Sequence, residues 1–281
     1  MPALSKIAPL AAQPVHSMHE MTLHVLDGAI KTLASSQTDQ SVHAARRATK
    51  RTRAALRLMR RNLGTQVYRR ENRRVRDAAK PLTAIRDAFV LRVALRDLPA
   101  RSVALQRGLD AEYHREHTAV ETQGASSVVA RLRAIRQRLA DMPPLNPEAA
   151  SAVAGVHRSY KAGRHACSRA KGRDDRMLHE LRKQAKYLLN QLELLHEVFE
   201  VDFKTLHRRA DRLAAILGDD HDLGVLNTKL RAYDPANQRL RKIIKKRRRE
   251  LQSKALRIAK KLYRHPVKRI RARVAARLNV R

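Results

Sequence analysis

Two short stretches carry the same chemically capable pattern. In SVHAARRATKRTR, at 41–53, His43 is followed by Arg46, Arg47 and Lys50; in MLHELRKQAKYLL, at 177–189, His179 is followed by Arg182, Lys183 and Lys186. These side chains suit the gripping of phosphoryl oxygens. Arginine offers a forked donor pair, lysine a compact charge without geometric demands, and a histidine accepts when neutral or donates when protonated. They do not add up to a catalytic set. The chain has no Walker A loop, no GxSxG and no paired-carboxylate motif. Histidine pairs such as His16 with His19 and His114 with His117 have no third ligand in a recognisable pattern. No metal or cofactor is expected.

Helical geometry explains the spacing. At about 100° per residue, His43, Arg46, Arg47, Lys50, Arg53, Arg57 and Arg61 fall on one third of a helix, and Ala45, Ala48, Thr52, Leu56, Met59 and Leu63 fall opposite. In the second stretch His179, Arg182, Lys183, Lys186 and Asn190 take the charged face, and Leu181, Leu188, Leu192, Leu195 and Phe199 the apolar one, all displaced by 136 residues. Core and charge repeat together. Cations one helical turn apart stand about 5–6 Å from each other, close to the separation of alternate phosphates along an extended phosphate polymer.

The next helix repeats as well, displaced by 135 residues: Arg73-Arg74 matches Arg208-Arg209, and LTAIRDAFVL at 82–91 matches LGDDHDLGVL at 217–226. There Arg69, Arg73, Arg76 and Lys80 align on one face, as do Lys204 and Arg208 in the second copy, with Arg209 and Arg212 beside them. A groove between such helices has basic walls on both sides. The alternative is that these cations pair with acids across the bundle. Asp87 and Asp222, which coincide in the repeat, are expected to orient arginines through salt bridges. Two departures stand out: Thr83 faces Gly218, so a turn there is expected to differ, and Glu193 and Glu197 occupy the face that carries Arg57 and Arg61 in the first copy, shortening the second row.

The whole chain frames this duplication. Gly and Pro total only 19 of 281 residues, strand alternation is nowhere sustained, and the periodicity predicts helices near 15–35, 40–63, 66–97 and 103–141, then 147–170, 174–199, 202–231 and 236–263, with a tail helix from about 266. The segment DMPPLNPE at 141–148, with three prolines in five positions, separates the halves. A formal net charge of +35 makes a polyanion the expected companion. Aromatic residues are only 3% and Trp is absent, which leaves little with which to stack unpaired bases.

In the pattern HxxR[RK]xxK, followed by a helix ending in LGxxxDxxVL, both present twice, the chain resembles the CHAD (conserved histidine α-helical domain) family from about 15 to 263. The resemblance implies an all-α, internally duplicated fold: two antiparallel four-helix bundles, at 15–141 and 147–263, with pseudo-twofold symmetry around a basic groove or pore. It further implies non-catalytic binding of inorganic polyphosphate. Nucleic acid, bound by the same basic surface, is the alternative partner.

From Arg239 to Arg281 there are nineteen Lys or Arg and one acid, Glu250, interleaved with apolar residues, so a basic amphipathic tail, 264–281 in particular, is expected to contact polyphosphate, nucleic acid or acidic lipid headgroups. A lone Cys167 forms no internal disulfide. The start MPALSKIAPLAAQPV is too weakly apolar for a signal peptide, and no apolar run approaches a membrane span. A cytoplasmic protein, associated with polyphosphate granules, is the expectation.

Overall fold

A computed structural model describes residues 17–35, 38–120, 124–143 and 148–280. Among them the secondary structure is helical, without a strand. The helices are α1 (Met18–Ser35), α2 (Asp39–Leu58), α3 (Arg60–Leu63), α4 (Thr65–Ala78), α5 (Pro81–Arg96), α6 (Val103–Ala119) and α7 (Ala125–Ala140). They continue with α8 (Glu148–Arg169), α9 (Asp175–Phe199), α10 (Lys204–Tyr233), α11 (Gln238–Leu262) and α12 (Val267–Arg277). A single 3₁₀ turn, Ala170–Gly172, leads from α8 towards α9.

Both histidine-bearing helices start on a side-chain cap. Thr38 accepts from the backbone N–H of Ser41, and Asp174 accepts from that of Met177, so each cap satisfies one of the orphan donors of a first turn. These caps are themselves 136 residues apart, which sets His43 and His179 at the same phase. Ala45, Ala48, Thr52, Leu56, Met59 and Leu63 are all buried, as are Leu181, Leu188, Leu192 and Leu195. Phe199 is only partly so.

Several helices are shorter than the periodicity predicts. The span 66–97 divides into α4 and α5 because Pro81, at the first position of α5, has no N–H to donate and its ring excludes the carbonyl one turn back. The span 103–141 divides at Val120 and Gly124, which have π-helical backbone, with 121–123 outside the described residues. The span 40–63 breaks at Met59. In the second half the counterpart of α4 and α5 is the unbroken α10. Its LGDDHDLGVL segment lies mid-helix rather than at a helix end, so Gly218 sits inside a continuous helix whereas Thr83 follows the turn at Ala79 and Lys80 that separates α4 from α5. The Thr83 hydroxyl donates to the Ala79 carbonyl at 3.0 Å. Of the linker 141–148, residues 144–147 lie outside the described residues, as does the start 1–16.

Helix α2 packs on α1, α4, α8 and α9, and α9 in turn packs on α8 and α10, so the two histidine-bearing helices meet inside the molecule. The approach of α8 is close: a Cβ at Gly155 would stand 2.8 Å from the Leu58 Cα, which only glycine permits. Another tie between halves is the ion pair of Arg51 with Glu197. That contact explains the acid in the second row: Glu197 links α9 to α2, while Glu193 faces His207 at 3.5 Å.

The basic C-terminal region belongs to the core. Ile244, Leu251 and Leu262 of α11, and Ile270, Val274 and Leu278 in and after α12, are buried. Tyr160 of α8 donates to the carbonyls of Leu262 at 3.1 Å and His265 at 3.2 Å, and Arg164 donates to His265 at 2.7 Å. The expected amphipathic tail therefore has its apolar face covered, α11 by α10 and α12 by α8, which leaves its cationic face for solvent. No helix among the described residues is long and apolar enough to cross a membrane.

Arg248 of α11 donates to buried Asp220 of α10 at 3.0 Å and to Asp175 of α9 at 2.6 Å, and Gln252 donates to Asp220 at 3.0 Å. Replacing Asp220 by Ala strands the buried Gln252 amide and leaves Arg248 with one partner. Urea denaturation is expected to show a loss of about 3 kcal/mol, with Asn at this position losing less.

Candidate functional site

The α2 and α9 rows converge. Lys50 of α2 is acted on by Arg182 of α9, and Lys186 of α9 by Lys50, so the two lysines share one cluster of charge. Burial among protein atoms is the largest influence on Lys50, followed by Arg46, Arg86 and Arg182, and together these push its ammonium down to about 8 against a weaker opposing pull from Asp87. For Lys186 the order is burial, Arg182 and Lys50, and the result is again about 8. Lys50 nonetheless has an exposed side chain and Lys186 a half-buried one.

The remaining members follow. Arg46 donates to the Leu82 carbonyl at 2.8 Å, which fixes it between α2 and α5. Arg182 is half-buried, and its Nε finds no acceptor among the described residues. Arg47 is exposed, and Lys183 is engaged by Glu180 at 2.6 Å. His43 is pushed below its ordinary value by burial, then by Lys50, Arg47, Arg86 and Arg46; His179 likewise by burial, then by Arg182 and Lys183. Both rings are therefore neutral near pH 7. A phosphate oxygen beside them would favour their protonated, doubly donating form.

Asp87 and Asp222 play a different part from the salt bridges expected of them. Each acts on the cluster over distance, Asp87 favouring the charge of Arg46 and Asp222 that of Arg182. Among the described residues, neither has a cation within ion-pairing reach of 4.0 Å. The cluster is left with excess positive charge.

Other expected residues are more dispersed. Arg53 donates to Asn72 of α4 at 3.0 Å, and Arg57 lies 3.6 Å over the ring of Tyr187 in α9, continuing the α2 row along the seam. Arg76 acts on Arg53 but is paired with Asp77 at 3.0 Å, and Lys80 meets the same Asp77 at 3.1 Å. Arg69 and Arg73 are exposed on α4. On α10, Lys204 faces Asp202 at 3.4 Å, and Arg208 and Arg212 are exposed. Arg209 donates to the Lys261 carbonyl at 3.1 Å, which turns it towards α11 rather than the seam.

Two residues of the cluster escaped the sequence reading. Arg86 acts on both lysines and on His43, and the His221 ring lies 5.4 Å from that of His179. A signal for both was present: Arg86 and His221 coincide at the displacement of 135 and immediately precede Asp87 and Asp222. Beside the His179 and His221 rings a cavity of about 200 Å³ is lined by Arg182 and Arg248, by Asp175 and Asp220, and by Thr228, among others. Among the described residues no group of three or more His, Cys, Asp or Glu side chains is placed to hold a metal ion.

The pH dependence of stability follows with its sign. Lys50 and Lys186 titrate near 8 when folded and near the ordinary lysine value, about 10.4, when unfolded, so between these limits the unfolded chain binds more protons. Stability at this locus therefore rises with pH from 8 towards 10. Thermal melts at low ionic strength without phosphate are expected to move up by a few degrees between pH 7.5 and 9.5, and the rise is expected to shrink in the Lys50→Gln, Lys186→Gln double variant.

The CHAD domain family model matches residues 20–231. The crystal structure of the CHAD domain from the plant Ricinus communis is similar in fold, with a TM-score of 0.60 and 17% sequence identity over 96% of this chain and 98% of that one. No curated protein matches.

Proposed function

Because the chain belongs to the CHAD domain family, we propose that it binds inorganic polyphosphate, without converting it, along the seam where the helices of its two repeats, 15–141 and 147–263, meet. The observation that carries this reading is the convergence of the charges of Arg46, Lys50, Arg86, Arg182 and Lys186, while neither Asp87 nor Asp222, among the described residues, stands in ion-pairing reach of a cation. Such a cluster disfavours its own charge, and a chain of phosphates relieves that repulsion at every contact. The exposed Lys50, the half-buried Arg182 and the adjoining cavity offer donors at several depths, which suits a flexible polymer held by many contacts. A groove with α2 and α9 as its floor, and the exposed cations of α4 as an extension, is the proposed track. A cytoplasmic setting on polyphosphate granules is the one this reading expects.

Polyphosphate is favoured over nucleic acid because, among the described residues, the tyrosine rings near the row are Tyr187, over which Arg57 lies at 3.6 Å, and Tyr68, over which Arg60 lies at 5.1 Å, so both faces offered to a base already carry a guanidinium. Competition tests the choice. Long-chain polyphosphate is expected to displace labelled duplex DNA at physiological salt at far lower phosphate concentration than DNA displaces polyphosphate. The reverse order would make nucleic acid the partner. Release of orthophosphate from bound polyphosphate, with or without divalent metal, would overturn the non-catalytic reading.

A further inference from the structure

Between α8 and the end of α11 lies a cavity of about 440 Å³ that shares no residue with the histidine-bearing rows. Arg164 and Cys167 line it on one side, and Leu256, Lys260, Tyr263 and Arg264 on the other. Its volume falls within the roughly 300–1,000 Å³ usual for small-molecule sites. Among the described residues no acid lines it, and none stands within 4.0 Å of Arg164, Lys260 or Arg264. Arg164 is committed to the carbonyls beyond α11, at 3.1 Å to Tyr263 and 2.7 Å to His265. Lys260 and Arg264 are exposed and bring unbalanced charge to the rim.

Tyr263 is 3% exposed, and its hydroxyl finds no hydrogen-bond partner among the described residues. A buried hydroxyl left so is uncommon in folded proteins. It lies against Gly163 so closely that a Cβ there would collide with it, and Gly163 stands one helical turn before Cys167 on the same face of α8. The orphan donor is thus set beside the wall that carries the chain's one cysteine.

We propose that this cavity admits the disulfide of a small acidic thiol and that Cys167 forms a mixed disulfide with it. Carboxylates of the bound half lie between Lys260 and Arg264, the Tyr263 hydroxyl donates to one of its oxygens, and Leu256 packs against its carbon chain. The Cys167 thiol gives its proton to solvent, its sulfur attacks one sulfur of the reagent, the S–S bond breaks, and the second half leaves as a thiolate that takes up a proton. Cys167 is oxidised and the leaving half reduced, so no further oxidant is needed. Positive charge at the rim gathers the anionic reagent and stabilises the departing thiolate. The adduct sets carboxylates among the cations of α11, and reduction removes them again.

The experiment uses the intact, reduced protein at pH 7.5 and low salt, treated at equal concentration with oxidised glutathione, which is anionic, or with cystamine, a cationic disulfide. Mass spectrometry over time gives the rates, and peptide mapping gives the site. Glutathione is expected on Cys167 roughly tenfold faster than cysteamine. A chain so cationic draws anions everywhere, so the variants carry the decision. Lys260→Gln with Arg264→Gln is expected to remove most of the preference. Lys31→Gln with Lys242→Gln, exposed cations on α1 and at the far end of α11, is expected to keep it. Tyr263→Phe is expected to slow the glutathione reaction severalfold and to leave the cystamine reaction unchanged. Circular dichroism checks that each variant is folded. No adduct at Cys167, equal rates with the two disulfides, or equal loss of preference in the two double variants would each overturn the proposal.

Discussion

Exchanging Arg46, Lys50, Arg182 and Lys186 together for Gln is expected to lower polyphosphate affinity by about a thousandfold and to leave the fold intact. The magnitude follows from four charge-assisted contacts at about 1 kcal/mol each, partly screened by solvent, where about 4 kcal/mol corresponds to three decades of Kd. The fold survives because the substitutions spare Ala45, Thr52 and Leu56 on α2 and Leu181, Leu188 and Leu192 on α9, all buried. Losing the Arg46 bond to the Leu82 carbonyl is offset by relief of repulsion among the four cations. Far-UV circular dichroism and thermal melts establish the fold, and titration calorimetry gives the affinity. A matched variant at Lys204, Arg208, Arg209 and Arg212 is expected to lose much less, since Arg209 is committed to Lys261 and Lys204 to Asp202. Equal losses in the two variants would mean that net charge, rather than the seam, governs binding.

Raising the salt from 50 to 200 mM is expected to weaken polyphosphate binding by about three orders of magnitude, with a slope of log affinity against log salt on the order of −5. The cations proposed to set this slope are Arg46, Arg47, Lys50, Arg86, Arg182 and Lys186, each of which would neutralise a phosphate and release its condensed counterion. The quadruple variant is expected to show a slope shallower by about 3, because four of those contacts are gone. Isothermal binding at five or six salt concentrations reads both slopes. A salt-insensitive affinity would point to a pocket for a small ligand, such as the cavity between His179 and Thr228, instead of a track.

Much of this arrangement is legible in the sequence, for definite reasons. The rows of α2 and α9 are visible because one helix face must be apolar and the other need not be, so their 3.6-residue period carries both core and charge. Helix interruptions were harder to see. The basic run from Arg69 to Lys80 keeps its period up to Pro81, and only the missing N–H of that proline divides α4 from α5. The partition of cations into bound and unbound was invisible, because it depends on what each meets across the bundle. Arg57 meets Tyr187, Arg209 a carbonyl of α11 and Lys183 its own Glu180, whereas Lys186 feels the charge of Lys50. Glu197 reads as an intruder in a basic row until Arg51 appears opposite it. The basic C-terminal region reads as a free amphipathic tail for a similar reason: nothing in its own pattern reveals that α10 covers α11, that α8 covers α12, or that Tyr160 and Arg164 bind the carbonyls between them.

A crystal structure of the protein with a short polyphosphate chain bound bears most directly on the seam between α2 and α9. Phosphate groups are expected within hydrogen-bonding distance of Lys50, Lys186 and Arg182, with Arg86 and His43 on the flank and the chain continuing towards Arg53. Phosphates lying along the exposed faces of α11 and α12, with none between the two histidine-bearing helices, would contradict it.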